Sequence, residues 1–337
     1  MSVTIRDVAR AAGVSTATAA RALGGYGHAS PAARRKVSES ALVLGYRPNV
    51  VARALVSRAT TTVGLVVGDI ENPFFAAAAR GLADVMDAHG YTVLLANADE
   101  DAERERRAVD ALRARQVDGM VVVPAPGASP GHLADLVAAG VPLVLLDRVV
   151  AGVEADSVLV RNTAGAHAAV AHLIRLGHRR IGVVSDLPEI TSSAERIGGY
   201  RRALRAAGIA LDPGLLSVGG STQADGEAAA LRLLDRRDRP TAVFTANNFM
   251  TVGALRAARA LGLAIPGDLA LVGFDDLDWT TLVQPPVTVV SQPVAELGRT
   301  AGLRLLRRLE GDRSPPRRIR LEARLIVRGS CGANPCA

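Results

Sequence analysis

The chain has 337 residues, of which 49% are hydrophobic and only 3% aromatic, so its core must be built from aliphatic side chains and alanine. This length suits two or three domains. Charged residues, Gly or Pro interrupt every apolar run before the ~18 residues of a membrane helix, and Arg6, Asp7 and Arg10 break any signal-peptide core. The sequence therefore predicts a cytoplasmic protein with no membrane partner.

The excess positive charge lies at one end of the chain. Residues 1–60 contain nine Lys and Arg residues against Asp7 and Glu39, a net charge of +7, which equals the net charge of the whole chain. The totals of 40 basic and 33 acidic residues therefore leave 31 of each sign in the other 277 positions. A basic segment of this kind is typical of a module that binds a polyanion, and a solvated basic surface is the alternative interpretation.

The first 45 residues predict three short helices. Thr4 can cap a helix whose apolar stripe runs over 5–12, Gly13 allows a tight turn, and Ser15 can cap a second helix. A third helix is predicted over 31–44. Three such helices around a glycine turn form a helix-turn-helix, whose second helix enters the major groove of DNA.

Three stretches in order, TIRDVARAAGVSTATAARAL, GYRPNVVARAL and VGLVVGDIENPFF, resemble the lactose/galactose repressor (LacI/GalR) family of bacterial transcription regulators. The resemblance runs over almost the whole chain. It implies a homodimeric, nucleoid-associated repressor of carbohydrate-related genes that binds a near-palindromic double-stranded operator. A small sugar-like effector controls such a repressor, and no cofactor is expected. No leucine heptads follow RLIVRGS, which favours a dimer over a tetramer.

Carried over by position, the resemblance implies which residues contact DNA. Thr16, Ala17 and Arg21 are expected to meet base edges, with Arg21 as the donor to a guanine. Contacts with the sugar-phosphate backbone are implied for Thr18, Arg34 and Asn49. The full expected set is Thr4, Ser15, Thr16, Ala17, Thr18, Arg21, Arg34, Asn49, Ala52 and Leu55.

The segment PNVVARALV is too apolar for an exposed linker. It resembles the family's hinge helix, which forms when two subunits meet over the minor groove. Leu55 is then the wedge that unstacks a base step, and packing of Leu55 on its own domain is the alternative. Ala20 and Gly24 depart from the Ser and Asn that the family more often has, so a phosphate contact and a turn cap are in doubt.

Beyond residue 62, short apolar runs alternate with helical patterns. The runs TVGLVV, YTVLLA, GMVVVP and PLVLLD are followed from about residue 163 by RIGVVS, LLSVGG, TAVFTA and LALVGF. Strands alternating with helices indicate parallel sheets with helices on both faces. Two such halves enclose a crevice outside the strand carboxyl ends, where a small ligand binds. The resemblance implies a type I periplasmic-binding-protein-like core, with chain crossings near 160, 290 and 322.

The predicted fold class is therefore a small all-α helix-turn-helix domain plus an α/β core of two doubly wound parallel-sheet subdomains. The expected parts are the DNA-binding domain 1–47, the hinge helix and linker 48–61, the effector-binding and dimerisation domain 62–330 and a tail 331–337. Within the third part, the N-subdomain takes about 62–160 and 291–321, and the C-subdomain about 161–290 and 322–330. The tail holds Cys331 and Cys336; Gly and Pro predict that it is disordered, and the pair is not expected to bind metal.

Polar side chains that follow the strands are the candidate ligand residues. Planar Arg, carboxylate and amide groups can each bind two neighbouring hydroxyls of a sugar or polyol. The resemblance implies that Arg196, Asn247 and Asp275 are the main three, and capping of a helix or loop is the alternative for Asn247 and Asp275. The full expected set is Asp69, Phe75, Asp147, Arg148, Arg161, Arg196, Asn247 and Asp275.

Three departures from the family pattern bear on the ligand. Ser221 stands where relatives often have an aromatic ring, which makes a purine ligand less favourable. Arg161 and Asn248 each replace a frequent Asp. Arg161 indicates either an acidic or phosphorylated sugar or a surface arginine, and Trp279 either shields the ligand or packs at the surface.

Other function classes fit the sequence less well. GASPG, residues 127–131, formally matches the GxSxG elbow of serine hydrolases, but Pro124 and Pro126 separate it from the preceding strand. No Walker A loop or HExxH motif occurs, so the chain is not expected to be an enzyme. A sugar-binding protein without operator recognition is the second alternative, which the basic N-terminal segment opposes.

Overall fold

The computed structural model of the chain describes residues 3–24, 28–46, 60–127 and 129–333. It divides into two compact units. The first comprises Met1–Thr62 with Gln116–Asp118, and the second comprises Val63–Arg115 with Gly119–Ala337.

Three helices form a bundle in the first unit: α1 (Ile5–Ala12), α2 (Thr16–Gly24) and α3 (Pro31–Val43). Thr4 begins α1, since its hydroxyl and its backbone N–H donate to Asp7 Oδ2 at 2.7 and 3.0 Å, and the Thr4 hydroxyl thereby lowers the pKa of Asp7. Gly13 ends α1 with a φ of 66°, a conformation that glycine adopts without strain. Small side chains fill the centre, which consists of Val8, Ala9, Ala12, Ala19, Val37 and Ala41.

Strands and helices alternate along the second unit. Its strands are β1 (Thr62–Val67), β2 (Thr92–Asn97), β3 (Gly119–Val122), β4 (Leu143–Leu146), β5 (Asp156–Val160), β6 (Ile181–Ser185), β7 (Leu216–Val218), β8 (Ala242–Thr245), β9 (Ala270–Phe274), β10 (Thr288–Ser291), β11 (Arg318–Leu321) and β12 (Arg324–Ile326). Its helices are α4 (Pro73–Ala88), α5 (Ala102–Ala114), α6 (Gly131–Ala138), α7 (Asn162–Arg175), α8 (Thr191–Ala206), α9 (Gln223–Leu234), α10 (Asn248–Ala260), α11 (Trp279–Leu282) and α12 (Val294–Leu309). Short 3-10 turns cover Pro213–Leu215 and Gly329–Cys331.

Two six-stranded sheets organise these elements into two lobes. The sheet of the first lobe has the order β11-β5-β4-β3-β1-β2, and the sheet of the second lobe has the order β12-β10-β9-β8-β6-β7. The central pairs are parallel, whereas β12 is antiparallel to β10. The chain passes between the lobes after β5, after β10 and between β11 and β12. This architecture confirms the predicted fold class.

Helices cover the second sheet on both faces, which explains why its strands are continuous apolar runs. Val183 and Phe244 pack with α7 and α8, whereas their neighbours Val184 and Val243 pack with α9 and α10. In the first lobe, α4 and α12 pack on one face of β1, β3 and β4. The burial of both strand faces holds the carboxyl ends of the strands at a rigid edge in each lobe.

The close packing of α7 against α8 in the second lobe depends on Gly199. A Cβ atom at Gly199 of α8 would lie 2.5 Å from the Thr163 carbonyl oxygen and 2.7 Å from Ala166 Cβ of α7. At the preceding Gly198, a Cβ atom would meet nothing within 4 Å. Of these two adjacent glycines, only Gly199 therefore requires the absence of a side chain.

Replacing Gly199 with alanine is expected to lower the free energy of unfolding by about 1–3 kcal/mol, because the added methyl pushes α7 and α8 apart. Gly198→Ala is the matched control and is expected to raise that free energy by up to about 1 kcal/mol, since alanine favours the helix. Urea unfolding followed by circular dichroism measures both variants. Equal stability of the two variants would show that the helices separate without cost.

The expectation that Cys331 belongs to a disordered tail is wrong. Its side chain is 1% exposed and packs in the core of the second lobe. His172 Nε2 lies 3.3 Å from the Cys331 sulfur, and the Thr288 hydroxyl lies 3.2 Å from it. The neighbouring Ser330 hydroxyl donates to the Leu271 carbonyl and accepts from the Thr288 N–H. Long-range contacts order this turn, and the local Gly and Pro content does not reveal them.

Candidate functional site

Helix α2 presents the predicted base-reading side chains. Thr16, Ala17 and Arg21 are exposed on it, and Arg21 follows Ala17 by about one turn. Ser15 begins the helix, since its hydroxyl oxygen accepts from the Thr18 N–H at 3.1 Å and lies 2.9 Å from the Thr18 hydroxyl. The helix start is thus fixed by internal hydrogen bonds, and the three exposed side chains are available to a groove.

The other predicted DNA contacts occupy varied positions. Thr4 is exposed, but its hydroxyl donates to the Asp7 carboxylate at the start of α1. Arg34 is exposed in the first turn of α3, where its backbone N–H donates to the Ser30 carbonyl at 2.9 Å. Residues 47–59 lie outside the described part of the chain, and with them Asn49, Ala52 and Leu55.

Side chains from both lobes meet at the carboxyl ends of the strands. Asp147 follows β4, Asn247 follows β8 and Asp275 follows β9. Asp147 and Asp275 are each 5% exposed, and both adopt the left-handed backbone conformation, with φ of 64° and 80°. Such a backbone is costly for a residue with a side chain and concentrates at functional sites. The region between the two lobes is called the cleft below.

Among the described residues, several hydrogen bonds join the two lobes across the cleft. The Asn248 amide nitrogen donates to Asn72 Oδ1 at 3.0 Å, and the Ser192 hydroxyl donates to Asp147 Oδ2 at 3.3 Å. The Val149 N–H donates to the Thr191 hydroxyl oxygen at 3.1 Å. These bonds join the lobes directly, so a ligand that alters them changes how the lobes meet.

Arg148 is held on the first-lobe side of the cleft by a carboxylate that the sequence analysis did not select. Its two terminal nitrogens donate to Glu100 at 2.5 and 2.8 Å, and one of them also donates to the Pro124 carbonyl. The guanidinium lies 5.9 Å from the centre of the Phe75 ring. Burial lowers the pKa of Arg148, but Glu100 and the nearby Asp147 and Asp186 outweigh it and raise the pKa above its ordinary value.

Arg196 lies on the second-lobe side. Its Nε donates to Asn162 Oδ1 at 2.9 Å, and its Nη1 donates to the Ala246 carbonyl at 2.7 Å. The guanidinium carbon is 3.9 Å from the centre of the Phe274 ring, a cation–π contact. Within the described residues, Nη2 donates to no protein acceptor and is available to a ligand.

Asp275 accepts hydrogen bonds from neutral donors at both of its oxygens. Its Oδ2 accepts from the backbone N–H and the side-chain amide of Asn248 at 3.0 and 3.1 Å, and its Oδ1 accepts from the Gln292 amide. Gln292 is 8% exposed and follows β10, where the chain crosses between lobes. Asp275 therefore joins the start of α10 to a crossing segment.

Asn247 both caps a helix and faces a second carboxylate. Its Oδ1 accepts from the Met250 N–H at 2.9 Å, as expected of the residue that begins α10. Its Nδ2 donates to Asp186 Oδ2 at 2.9 Å. Asn247 therefore caps α10, as the alternative interpretation proposed, and also lies in the cleft.

Burial raises the pKa of the Asp147 carboxyl. The Arg148 and Arg196 guanidiniums and the Ser192 hydroxyl act in the opposite direction, and the Asp275 carboxylate adds to the rise. A buried carboxyl group whose pKa is shifted by burial and by nearby charged groups is a recognised mark of a functional site.

Several polar atoms in the cleft are buried without a hydrogen-bond partner among the described residues: Asp147 Oδ1, Arg148 Nε, Asp186 Oδ1 and Gln292 Oε1. Buried polar groups without partners are costly, so they mark a place where a ligand or water supplies the missing bonds. A cavity of about 380 Å³ lies beside Asp275 and Gln292 and is also lined by Phe74, whereas Asp147, Asp186 and Arg196 do not line it. That volume lies in the range of small-molecule sites.

Some predicted residues lie apart from this group. The Arg161 side chain is more than half exposed, and its Nε pairs with Glu322 at 2.6 Å, which fits the surface alternative. Asp69 is half-buried, and its carboxylate accepts from the Glu71 N–H in a local turn. Trp279 begins α11 and packs partly buried on the second-lobe core.

Several residues of the cleft were not predicted from the sequence, namely Asn72, Glu100, Asn162, Asp186, Ser192 and Gln292. Asp186 directly follows the strand RIGVVS, so the strand-end rule that selected Asp147 also covers it. Gln292 follows β10, a strand that the apolar runs did not reveal. Glu100 lies in a loop, and only its pairing with Arg148 shows its role.

The region of the GxSxG match has no hydrolase geometry in the described residues. Six residues, 123–128, separate the end of β3 from Ser129, whereas a nucleophile elbow turns directly from strand to helix. Ser129 Oγ accepts from the Gly131 N–H. The neighbouring His132 ring lies 2.6 Å from buried Glu105 and forms no bond to Ser129 in the described part of the chain.

Among the described residues, no group of three or more His, Cys, Asp or Glu side chains could hold a metal ion; Cys336 lies outside this part of the chain. No helix in the same residues is long and apolar enough to cross a membrane.

An exposed basic helix-turn-helix, joined in one chain to a two-lobed ligand cleft, defines a ligand-responsive DNA-binding regulator. Residues 4–49 match the lacI family of bacterial regulatory proteins, and residues 170–331 match the periplasmic binding protein-like domain. The chain is 37% identical to catabolite control protein A of Priestia megaterium over 307 residues, 91% of this chain and 92% of that protein. It belongs to the LacI family, as its sequence motifs indicated.

Solved structures agree with this assignment. The transcriptional regulator CelR in its complex with cellobiose is 35% identical, with a TM-score of 0.75 over 97% of this chain and 99% of CelR. The Lac repressor dimer bound to operator and the anti-inducer ONPF is 27% identical, with a TM-score of 0.87 over 99% of this chain and 100% of the repressor chain. Both cover the helix-turn-helix and the two lobes.

Proposed function

We propose that this protein is a sequence-specific repressor of carbohydrate-related genes that binds a near-palindromic operator as a homodimer. A sugar-like effector in the cleft controls it. The observation that carries the proposal is the joining, in one chain, of exposed α2 residues with a cleft that holds unpartnered buried polar atoms. The Lac repressor bound to operator and CelR bound to cellobiose support both halves.

The residue roles follow from their positions. Thr16, Ala17 and Arg21 read base edges, and one small helix-turn-helix needs a second copy on the other half-site to reach specific affinity. Backbone contacts come from Thr18 and Arg34, although the Thr18 hydroxyl also bonds to Ser15. The hinge helix with Leu55 stays a prediction, as do the boundaries 1–47, 48–61, 62–330 and 331–337.

The cleft residues divide into two groups. Arg196 offers free donors, while Asp147 and Arg148 each keep one unpartnered buried atom. Phe75 lies against Arg148, whereas Asn247 positions Asp186 and Asp275 positions Asn248 through the contacts described above. The Asp69 carboxylate accepts from the Glu71 N–H in a local turn, and Arg161 pairs with Glu322. Neither residue is therefore central to the proposal.

Control of DNA binding follows from the bonds that cross the cleft. An effector acts only through different affinities for two arrangements of the lobes, which typically gives ~1–3 kcal/mol of coupling. Hydrogen bonds such as Asn248 to Asn72 distinguish the arrangements, because they form only when the lobes approach. Every bound ligand leaving operator affinity unchanged would contradict this scheme.

We extend the proposal to the protein's place in the cell and to its lack of catalytic activity. A repressor acts on the nucleoid, so we place the protein in the cytoplasm. We also propose that it carries no catalytic activity, because its relatives in the comparisons are transcriptional regulators.

Replacing Arg21 with alanine is expected to weaken operator binding by about 1–3 kcal/mol and to relax the preference at one base pair, because a bidentate contact to guanine is lost. Arg10→Ala removes the same charge from an exposed position on α1 and is the matched control. Fluorescence anisotropy against operators varied one base pair at a time measures the effect. An equal loss on all sequences would assign Arg21 to the phosphates.

Selection of bound DNA from a random pool, at several salt concentrations and with a panel of sugars, tests the whole proposal. Recovery of a palindrome, a steep fall of affinity with salt, and a change of affinity with one sugar are expected. No enriched sequence, together with intact sugar binding, would instead identify a sugar-binding protein without operator recognition.

A further inference from the structure

The cleft carries an excess of negative charge. Six charged side chains act on one another there: the carboxylates Glu100, Asp147, Asp186 and Asp275 and the guanidiniums Arg148 and Arg196. Four carboxylates against two guanidiniums leave the group with a formal charge of −2. This excess is local, because the chain outside residues 1–60 is neutral.

The two guanidiniums are engaged differently. Arg148 forms a two-pronged ion pair with Glu100, whereas Arg196 stacks on Phe274 and donates to Asn162 without forming an ion pair among the described residues. Asp275 accepts from neutral amide and N–H donors at both of its oxygens. Asp147 and Asp186 are therefore the carboxylates that each keep one buried oxygen without a partner.

Of these two carboxylates, Asp186 has the weaker compensation for its negative charge. Asp147 Oδ2 lies 3.4 Å from Arg148 Nε, which provides a partial ion pair. Asp186 is 6% exposed and forms no ion pair among the described residues; its Oδ2 accepts from neutral Asn247, and its Oδ1 has no partner. A buried carboxylate with no direct ion pair and one unpartnered oxygen is costly, and a ligand that donates to that oxygen offsets the cost.

The unpartnered atoms also define what the ligand must offer. Asp147 Oδ1, Asp186 Oδ1 and Gln292 Oε1 all accept hydrogen bonds, so the ligand must be rich in donors. A phosphate or carboxylate group would add negative charge beside buried carboxylates, which disfavours it. The exposed pairing of Arg161 with Glu322 removes the one feature that indicated an acidic sugar.

We propose that the effector is a polyhydroxylated organic cation, such as an amino sugar, whose ammonium group binds Asp186 and whose hydroxyls bind Asp147, Gln292 and Arg196. This ligand class rests on the proposed function, since it fills the same cleft. An ammonium group has three donors and a compact charge, which suits a single carboxylate oxygen with a free lone pair. A metal ion does not suit the site, because the described residues gather no set of three ligands.

The test compares matched forms of one sugar on the full chain. Glucosamine, N-acetylglucosamine, glucose and glucose 6-phosphate, together with the same four forms of galactose, are titrated by calorimetry at a pH that keeps the amines protonated. The amine form is expected to bind at least about 10-fold more tightly than the hydroxyl form, since it adds a charge-assisted hydrogen bond. The acetylated form keeps the nitrogen without the charge and is expected to lose this advantage.

Asp186→Asn separates the charge from the shape of the site. The amide can still accept from Asn247 but has no charge, so the preference for the amine is expected to disappear while binding of the hydroxyl form remains. Asp135→Asn removes the same charge from an exposed position on α6. It is expected to leave the preference for the amine unchanged. The melting temperature of each variant reports whether it is folded.

Operator binding is measured on the same preparations to keep the two proposals apart. Binding of neither amine, or tighter binding of a hydroxyl or phosphate form, overturns the ligand class and leaves the repressor function standing if operator binding persists. Amine binding without any selected DNA sequence overturns the repressor function and supports the ligand class. A preference for the amine that survives Asp186→Asn also overturns the assignment to Asp186.

Discussion

Replacing Asp156 with alanine is expected to lower the free energy of unfolding by about 3–5 kcal/mol, because it leaves buried arginines without their carboxylate. Asp156 begins β5 and is 1% exposed. Arg304 donates to both of its oxygens at 2.8 and 2.9 Å, and Arg308 Nε donates to Oδ2 at 2.7 Å. The Arg317 N–H adds a bond at 2.7 Å. The carboxylate therefore fixes both α12 and the connection from α12 to β11.

The same carboxylate makes stability depend on pH. Burial by itself raises the pKa of Asp156, but the hydrogen bonds from Arg308, the Arg317 N–H and Arg304 outweigh it and hold the pKa below its ordinary value of 3.8. A carboxyl with a lowered pKa stabilises the fold above the pKa of the unfolded chain. Its contribution is lost as the pH falls below 3.8 through the lower pKa of the folded state.

Urea unfolding of Asp156→Ala and the unchanged protein, at neutral pH and at about pH 3, measures both effects. The difference between the two proteins is expected to shrink at the lower pH. Asp84→Ala is the control, since Asp84 forms an exposed ion pair with Arg80 and such pairs contribute about 0–1 kcal/mol. A loss at Asp156 no larger than the loss at Asp84 would show that Arg304 finds other partners.

Replacing Arg196 with alanine is expected to weaken effector binding by at least about 100-fold. The free Nη2 has two N–H groups, and each charge-assisted hydrogen bond contributes about 1.5–3 kcal/mol. The variant also leaves Asn162 Oδ1 and the Ala246 carbonyl without their donor. Operator affinity without effector is expected to stay within about twofold, because Arg196 and the helix-turn-helix belong to different compact units.

Calorimetry with the sugar that changes operator binding in the selection experiment measures this loss. Arg202→Ala on the exposed face of α8 is the matched control and is expected to leave effector affinity unchanged. Arg196→Lys keeps the charge without the planar fork, so it is expected to behave like the alanine variant. An effector affinity that survives both substitutions of Arg196 would remove this residue from the ligand site.

Much of the fold was readable from local patterns. The runs TVGLVV and TAVFTA form strands as predicted, because a strand buried on both faces is a continuous apolar stretch. The caps at Thr4 and Ser30 and the left-handed Gly13 also follow from local chemistry. Strand β10 was harder to recognise, since Thr288 and Ser291 are polar residues.

The site was only partly readable. Asp147, Asn247 and Asp275 were found because each directly follows an apolar run. Glu100 and Asn162 were not, since nothing near them in the chain indicates that they pair with Arg148 and Arg196. Arg161 was a candidate ligand residue because it replaces an Asp that is frequent in the family, but its guanidinium pairs with Glu322 at the surface.

Helices, strands, helix caps and the charge of a segment can be predicted from contiguous residues. The interactions that determine them act within a few positions of the chain. That is why the sequence alone identified a basic helix-turn-helix, two α/β halves and the family. The pairing of side chains across the cleft depends on the folded chain. Asn72 and Asn248, which are 176 positions apart, meet only there. The negative cleft in an otherwise neutral unit likewise comes from folding, because burial and distance decide which charges remain unpaired.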